Sequence, residues 1–393
     1  MRAGPALFWH RWFGVLGGPW LFLIAATGSL LAFYPELDRA LNPDLLSTPI
    51  ASGSAGERAR IAPMMARAEA RWPGMDARYA VPPGAPGGTV RVRLFRRPDG
   101  PGVDGHPRDV YFDPATGALL GSRVWGEVGL DARRLMPFLY ELHGSLHAGE
   151  TVAWLLGVLA LLWFADHFVS APLALGTARR WRTTLRVRRG VRGHKRWFDL
   201  HRATAMWLLP VTATLAFTGM YFNLHAEFRA VLDRLSAPTP AAAHPALPEP
   251  LRAPPVDADR AVALGREHAA GADASLISYD AARGLWTVSV RDARDLDDDG
   301  ARRITLDART GRVLTDRHWA DGTAGDAVVA SQFPLHSGKA LGTTGRVLIL
   351  LAGLSTCSLV VTGYLVWWRK LRARRRRPAR SDPAPIGALQ PAE

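Results

Sequence analysis

Seven of the twelve histidines lie at the ends of long apolar segments, where an imidazole is uncommon. At one end of these segments are His10, His167 and His201, and at the other are His143, His147, His225 and His336. Ionisable groups at such positions are energetically costly and often mark functional sites, and imidazole is a common metal ligand. The competing interpretation is a neutral imidazole at an interface that only hydrogen-bonds a carbonyl group.

The apolar segments that position these histidines are long enough to cross a membrane. Uncharged stretches at 13–34, 203–224 and 347–368 each contain 22 residues, which is about 33 Å of helix for a hydrocarbon core of roughly 30 Å. Another, at 151–165, is interrupted by Asp166 and His167 but resumes as far as Leu175. The sequence therefore predicts four transmembrane helices, at 1–34, 143–176, 201–225 and 336–368.

The net charge of +14 is concentrated beside the apolar segments. Nine Lys or Arg residues lie in 173–200 and eight in 369–380, whereas the rest of the chain is close to balanced. Basic residues accumulate in this way on the cytoplasmic side of membrane proteins. The pattern predicts that both termini, a basic loop at 177–200 and a basic tail at 369–393 are cytoplasmic, and it favours a lipid bilayer over nucleic acid as the partner.

A single cysteine, Cys357, limits the kinds of metal site that the chain could build. One cysteine excludes an intramolecular disulfide, a Cys-ligated iron–sulfur cluster and covalent haem attachment through a C-x-x-C-H motif. Any metal centre in this chain must therefore use histidine, carboxylate or methionine ligands.

An internal repeat pairs histidines at both ends of the predicted helices. At an offset of 191 residues, His10 aligns with His201, Pro19 with Pro210, and Thr27-Gly28 with Thr218-Gly219. At an offset of 193, "LHGSLHAG" aligns with "LHSGKALG", so that His143 meets His336. The sequence therefore predicts a four-helix transmembrane bundle built from a duplicated unit of helix, external domain and helix.

Two imidazoles that face each other across a pseudo-twofold axis can supply both axial ligands of a haem iron. We therefore expect His10, His201, His143 and His336 to hold haem b, with one or two haems per chain. A mononuclear Zn or Cu site is the alternative, but no carboxylate or methionine cluster accompanies these histidines. The Thr-Gly pairs leave room for a flat macrocycle or for a close helix partner.

The remaining histidines at the segment ends are secondary candidates. We predict that His147 lies one turn after His143 on the same helical face, where the two compete for one ligand role. His225 aligns with Tyr34, and His167 has no histidine partner in the repeat. Asp166 is expected to orient a neighbouring imidazole by accepting a hydrogen bond from it.

The long segments 35–142 and 226–335 are predicted to form two external α+β domains. Helical spacing in "ERARIAPMMARAEARW" and "DADRAVALGREHA" accompanies alternating strands such as "TVRVRLF" and "LWTVSVRD". The elements "VYFDPATGALLGSR" and "ITLDARTGRVLTDR" correspond within the repeat, and a Pro/Ala-rich linker follows Ser236.

These motifs resemble the PepSY-associated transmembrane helix family over nearly the whole chain. The resemblance lies in "DPATGALL", "DARTGRVL", "RWFDLHRATAMW", "YELHGSLHAGE" and "PLHSGKALGTTG". It implies two periplasmic PepSY-like domains in a bacterial inner-membrane protein, and some relatives are haem-containing reductases of ferric siderophores. We therefore expect an oxidoreductase that passes electrons from an external donor, either a cytoplasmic reductase or quinol, to a periplasmic ferric siderophore or other ferric chelate.

Two alternatives stay open at this level. PepSY domains are named for an inhibitory role in protease propeptides, so the chain could bind or regulate periplasmic partners without redox activity. It could also be a haem-bearing membrane subunit that serves a separate reductase.

Overall fold

The computed structural model describes residues 3–49, 60–97, 105–176 and 181–375. Numbered along the chain, its α-helices are α1 (Ala3–Leu31), α2 (Tyr34–Leu41), α3 (Pro43–Leu46), α4 (Ile61–Arg71), α5 (Leu135–Ser145), α6 (Gly149–Leu175), α7 (Trp181–Thr184), α8 (His194–Asn223), α9 (His225–Ser236), α10 (Ala258–His268), α11 (Ala324–Ser337) and α12 (Gly342–Arg375). Most of the predicted tail 369–393 and part of the predicted loop 177–200 lie outside the described residues.

Four of these helices, α1, α6, α8 and α12, are long and apolar enough to cross a membrane, which confirms the prediction of four spans. α1 packs against α6 and α12, and α8 packs against the same two helices. Small residues permit close contact: a Cβ added at Gly353 of α12 would lie 2.9 Å from the Ala25 carbonyl oxygen of α1. Helices α1 and α8 therefore occupy opposite corners of the bundle.

Two of the spans begin later than the sequence predicts. The segment 143–176 is divided between α5, which ends at Ser145, and the membrane helix α6, which begins at Gly149. The segment 336–368 is divided in the same way, between α11 and α12. His143 and His336 thus lie on short helices that precede the membrane helices.

The external segments form one antiparallel sheet. Its strands are β1 (Met75–Val81), β2 (Val90–Arg96), β3 (Arg108–Phe112), β4 (Leu119–Val124), β5 (Ala274–Asp280), β6 (Leu285–Val290), β7 (Arg302–Asp307) and β8 (Val313–Arg317), in the order β4-β3-β2-β1-β5-β6-β7-β8. Strands β1 and β5 join the two halves, where Tyr79 pairs with Ser278 and Ala80 pairs with Ile277. The two segments predicted as domains therefore share a single eight-stranded sheet.

One hydrophobic core lies between this sheet and helices α4 and α10. Alternate residues of the strands, such as Val92 and Val288, are fully buried in it. The backbone N–H of Ile61 in α4 donates to the Asp259 carboxylate of α10 at 2.6 Å, which links the two helices. Both segments therefore depend on each other for burial of their apolar surface.

A buried ion pair joins the sheet to α2, the short helix that follows α1. The Arg123 guanidinium of β4 donates to both oxygens of the Asp38 carboxylate of α2 at 2.7 and 2.8 Å. Each of these side chains is 3% exposed. Because a buried charge needs a partner, this pair fixes the sheet relative to the bundle.

Candidate metal centres

His10 of α1 and His201 of α8 face each other at the end of the bundle away from the sheet. Their ring centroids are 6.1 Å apart, with an angle of 61° between the ring planes. Two imidazole nitrogens bound to opposite sides of one metal ion lie about 4 Å apart, which puts the ring centroids roughly 6 Å apart. The spacing of this pair therefore fits two axial ligands of one ion.

The Nδ1 atoms of both rings are held by acceptors. His201 Nδ1 lies 3.1 Å from the Leu359 carbonyl oxygen and 3.1 Å from Thr362 Oγ1, both in α12. His10 Nδ1 lies 2.8 Å from Asp166 Oδ2 of α6, which confirms that Asp166 orients a neighbouring imidazole. A carbonyl oxygen and a carboxylate can only accept, so Nδ1 carries the hydrogen and Nε2 keeps its lone pair.

His143 of α5 and His336 of α11 form an equivalent pair at the sheet end. Their ring centroids are also 6.1 Å apart, with an angle of 58° between the planes. His143 Nδ1 lies 3.0 Å from the Ile24 carbonyl oxygen and 3.1 Å from Thr27 Oγ1. His336 Nδ1 lies 2.8 Å from Thr218 Oγ1, whose own hydrogen is donated to the Thr214 carbonyl. Both rings therefore present Nε2 as well.

In the part of the chain that the structure describes, no hydrogen bond is made to Nε2 of these four histidines. An imidazole whose Nδ1–H is held by a carbonyl, hydroxyl or carboxylate and whose Nε2 is free has the arrangement typical of a metal ligand. The role of the threonine hydroxyls as Nδ1 partners was missed in the sequence analysis. The recurrence of Thr next to Gly near the helix ends was the signal that could have indicated it.

Three of the rings lie against glycines that follow these threonines. A Cβ added at the glycine would approach ring atom Cε1 at 2.8 Å for Gly28 and His143, at 3.3 Å for Gly363 and His201, and at 3.7 Å for Gly219 and His336. At Gly28 and Gly363 the missing side chain thus makes room for the imidazole itself. The fourth ring, that of His10, is held from α6, which has no Thr-Gly pair. There the Asp166 carboxylate supplies the acceptor.

The two pairs lie at different levels of the same helices. Along α1, His10 and Thr27 are 17 residues apart, and His201 and Thr218 are 17 residues apart along α8. At the rise of an α-helix, this separates the two levels by about 26 Å. The arrangement therefore offers one site near each end of the bundle.

His147 is not placed beside His336, and the prediction that it shares a helical face with His143 is wrong. Helix α5 ends at Ser145, and Leu146 and His147 both adopt a left-handed backbone conformation with φ of 54°. The turn directs His147 to Phe138, where Nε2 lies 2.9 Å from the carbonyl oxygen and the rings stack at 4.7 Å. Of the two histidines, the structure brings only His143 to the pair.

The other secondary candidates also lie outside the pairs. Both nitrogens of His167 are engaged, with Nδ1 2.7 Å from the Trp163 carbonyl oxygen and Nε2 2.9 Å from Thr212 Oγ1. His225 begins α9 and packs its ring 5.1 Å from that of Tyr221. Both histidines therefore fit the competing interpretation, in which an imidazole at the membrane interface makes only hydrogen bonds or packing contacts, better than they fit a role as metal ligands.

The described residues contain no group of three or more His, Cys, Asp or Glu side chains that could hold a metal ion. Protein sites for Zn²⁺ or Cu²⁺ normally supply three or four ligands. A pair of imidazoles instead fits a metal that brings its remaining ligands with it, as the iron of a porphyrin does. The residues present therefore fit haem better than a bare ion.

The helix that carries His336 is anchored at its start by Asp326. Its carboxylate accepts hydrogen bonds from the backbone N–H groups of Thr323 and Thr239 at 2.8 and 3.0 Å. Burial alone would raise the pKa of Asp326, but the hydrogen bonds lower it to about 2. Because this pKa lies below the ordinary value of 3.8, the stabilisation is complete above pH 4 and is lost as the pH falls towards 2.

These features define a four-helix membrane protein with an external α+β region and a histidine pair near each end of the bundle. The chain belongs to the family of the PepSY-associated TM region, whose model matches residues 7–370. No curated protein sequence gives a significant match to the chain.

Proposed function

We propose that this chain is a haem b electron-transfer protein of the bacterial inner membrane, and that it reduces ferric siderophores or other ferric chelates in the periplasm. The observation that carries the proposal is the occurrence of two histidine pairs with ring centroids 6.1 Å apart, each ring with Nδ1 held and Nε2 free. Two such pairs correspond to two haems per chain. The two residues of each pair come from corresponding positions in the two halves of the chain, as expected of a duplicated unit.

The proposed orientation follows from the charge distribution. Basic residues at 173–200 and 369–380 favour a cytoplasmic location for that end of the bundle, so that the sheet lies in the periplasm. His10 and His201 then lie near the electron donor, and His143 and His336 lie near the acceptor. Electrons would enter at the first pair and leave at the second.

In this proposal the residues of the chain bind and orient, and no acid–base step is assigned to them. Haem bound at the pairs would supply one-electron carriers. The acceptors at Nδ1 fix the tautomer and orientation of each ring and increase its basicity. Ferrous iron binds hard oxygen ligands more weakly than ferric iron, so one electron delivered to a chelate would release its metal.

The test is electron delivery by purified protein. The protein is reduced anaerobically in mild detergent and mixed with ferric hydroxamate or ferric catecholate chelates, and Fe²⁺ is trapped with a coloured ferrous chelator. We expect reoxidation of the haem and release of Fe²⁺ at matching rates, both lost in His336→Ala and retained in His147→Ala. Haem that is reoxidised only by a protein partner would favour a subunit of a separate reductase, and purified protein without haem would favour a PepSY regulatory module.

A further inference from the structure

A groove with a volume of about 450 Å³ lies beside the histidine pair at the cytoplasmic end of the proposed orientation. Its walls come from α1, α8 and α12, all three of them membrane-spanning helices. Two of the lining residues, Phe22 and Val361, are 42% and 49% exposed, so the groove opens on the side of the bundle. A molecule would therefore enter it from the lipid.

The lining is apolar with a few uncharged polar groups. None of the described residues that line it carries a charged side chain. The indole N–H of Trp197 and the hydroxyl of Thr204, both on α8, have no hydrogen-bond partner in the described part of the chain, although both residues line the groove. An apolar cleft with a few polar groups fixes the orientation of a small lipophilic ligand. The free donors fit the oxygen atoms of such a ligand.

The groove shares two of its wall residues with the first histidine pair. Leu359 and Thr362, which hold Nδ1 of His201 at 3.1 Å, also form part of its wall. A ligand in the groove would therefore contact the same two residues that hold the His201 ring. This position is suited to electron transfer into the site held by His10 and His201.

The corresponding positions in the first half of the chain lack these groups. At the offset of 191 residues, Ala6 replaces Trp197 and Phe13 replaces Thr204. Neither Ala nor Phe carries a hydrogen-bonding side chain. The donors therefore belong to one half of the repeat, as expected of a site for a ligand rather than of a general requirement of the fold.

We propose that this groove binds the head group of a membrane quinol, which donates its electrons to the centre at His10 and His201; the donation step rests on the proposed function. Trp197 and Thr204 donate hydrogen bonds to one or both quinol oxygens, and the apolar side chains of the groove pack against the quinol ring. Oxidation of one quinol to the quinone releases two electrons and two protons. A haem held by His10 and His201 would accept these electrons one at a time and pass on the first before it takes the second, so that one quinol would reduce two ferric chelates, and the two protons would leave to water at that end.

The first test is binding of decylubiquinone to the full chain in mild detergent, measured by calorimetry with and without haem. Loss of one hydrogen bond predicts roughly fivefold to tenfold weaker binding for Trp197→Phe or Thr204→Val. Thr204→Ser keeps the hydroxyl group and should bind the quinone as tightly as the unchanged protein. The matched controls on α8 are Trp207→Phe and Thr214→Val, whose polar groups already bond the carbonyl oxygens of Leu185 and Pro210.

The second readout is the rate of haem reduction by decylubiquinol, compared with reduction by dithionite. We expect the two groove variants to slow reduction by the quinol and to leave reduction by dithionite unchanged. Absence of saturable quinone binding, or equal losses in the α8 control variants, would overturn the proposal. Competition between haem and quinone would also overturn it, because the groove would then belong to the haem site.

The two proposals can fail separately in these experiments. Protein that holds haem but does not bind quinone would remove the quinol site and leave the electron-transfer function intact. Protein that binds quinone through Trp197 and Thr204 but holds no haem would refute the donation step and the proposed function, and would leave a quinone-binding site.

Discussion

The four ring positions differ in how many acceptors hold Nδ1, and this difference predicts unequal effects of removing a threonine hydroxyl. In the described residues, the acceptor recorded for His336 Nδ1 is the Thr218 hydroxyl, at 2.8 Å. His143 and His201 each keep a backbone carbonyl, at 3.0 and 3.1 Å, when their threonine is changed. Thr218→Val should therefore disturb its site far more than the equivalent changes elsewhere.

The magnitude follows from the burial of the group. Thr218 is fully buried, so its replacement by Val leaves the His336 N–H without a partner away from water. An unpaired buried donor costs about 1–3 kcal/mol, and loss of such a partner typically weakens metal binding about tenfold to hundredfold. Thr27→Val and Thr362→Val retain an acceptor, and we expect losses below about threefold.

The assay is the transfer of haem from the reduced and oxidised protein to an excess of apomyoglobin, which measures the dissociation rate at each site. Thr218→Ser serves as the control because it keeps the hydroxyl with nearly the same volume. Equal haem loss in the three valine variants would refute the reasoning from acceptor number. So would rapid haem loss in Thr218→Ser, because packing and not the hydrogen bond would then be responsible.

Three further predictions concern packing, burial and pH. Gly28→Ala should displace an imidazole from its position, because the new Cβ would lie 2.8 Å from a ring atom, whereas Gly219→Ala, at 3.7 Å, should be tolerated; absorption spectra of the two haem-loaded variants compare them. Arg123→Met leaves the Asp38 carboxylate buried without its charged partner, with the Asn42 side-chain amide as its remaining donor at 3.0 Å, and should destabilise the external region by about 3–5 kcal/mol, measured by chemical denaturation. Asp326→Asn should lower the free energy of unfolding at pH 7, and its difference from the unchanged protein should shrink as the pH falls from 4 towards 2, because protonation of Asp326 then removes the same stabilisation; chemical denaturation of both proteins at pH 7 and at pH 2 tests this, and an equal difference at the two pH values would contradict it.

The spans and the histidine pairs were predictable from the sequence because both depend on local composition and on the internal repeat. Apolar length alone indicates a membrane helix, and the offsets of 191 and 193 residues match His10 to His201 and His143 to His336. Their matching positions in the internal repeat distinguish these four histidines from the others as candidate ligands. Whether the pairs bind haem remains a prediction.

Other features depend on contacts that sequence patterns do not record. The single sheet requires β1 to pair with β5, and the pairing involves strands almost 200 residues apart with no distinctive side chains. The exclusion of His147 from the site depends on a left-handed turn at Leu146 and His147, and a leucine rarely adopts that conformation. The acceptors of Nδ1 are mostly carbonyl or hydroxyl groups of neighbouring helices, and they become apparent only when the helices are packed.

The most direct test of the central claim is the haem content of the purified chain and of two variants. Oxidised and dithionite-reduced spectra, with a pyridine haemochrome count, should show low-spin b-type haem at two per chain. His201→Ala and His336→Ala should each reduce that number to one. A chain that shows no Soret band after expression with added haem, or whose haem content is unchanged in both variants, would contradict the account.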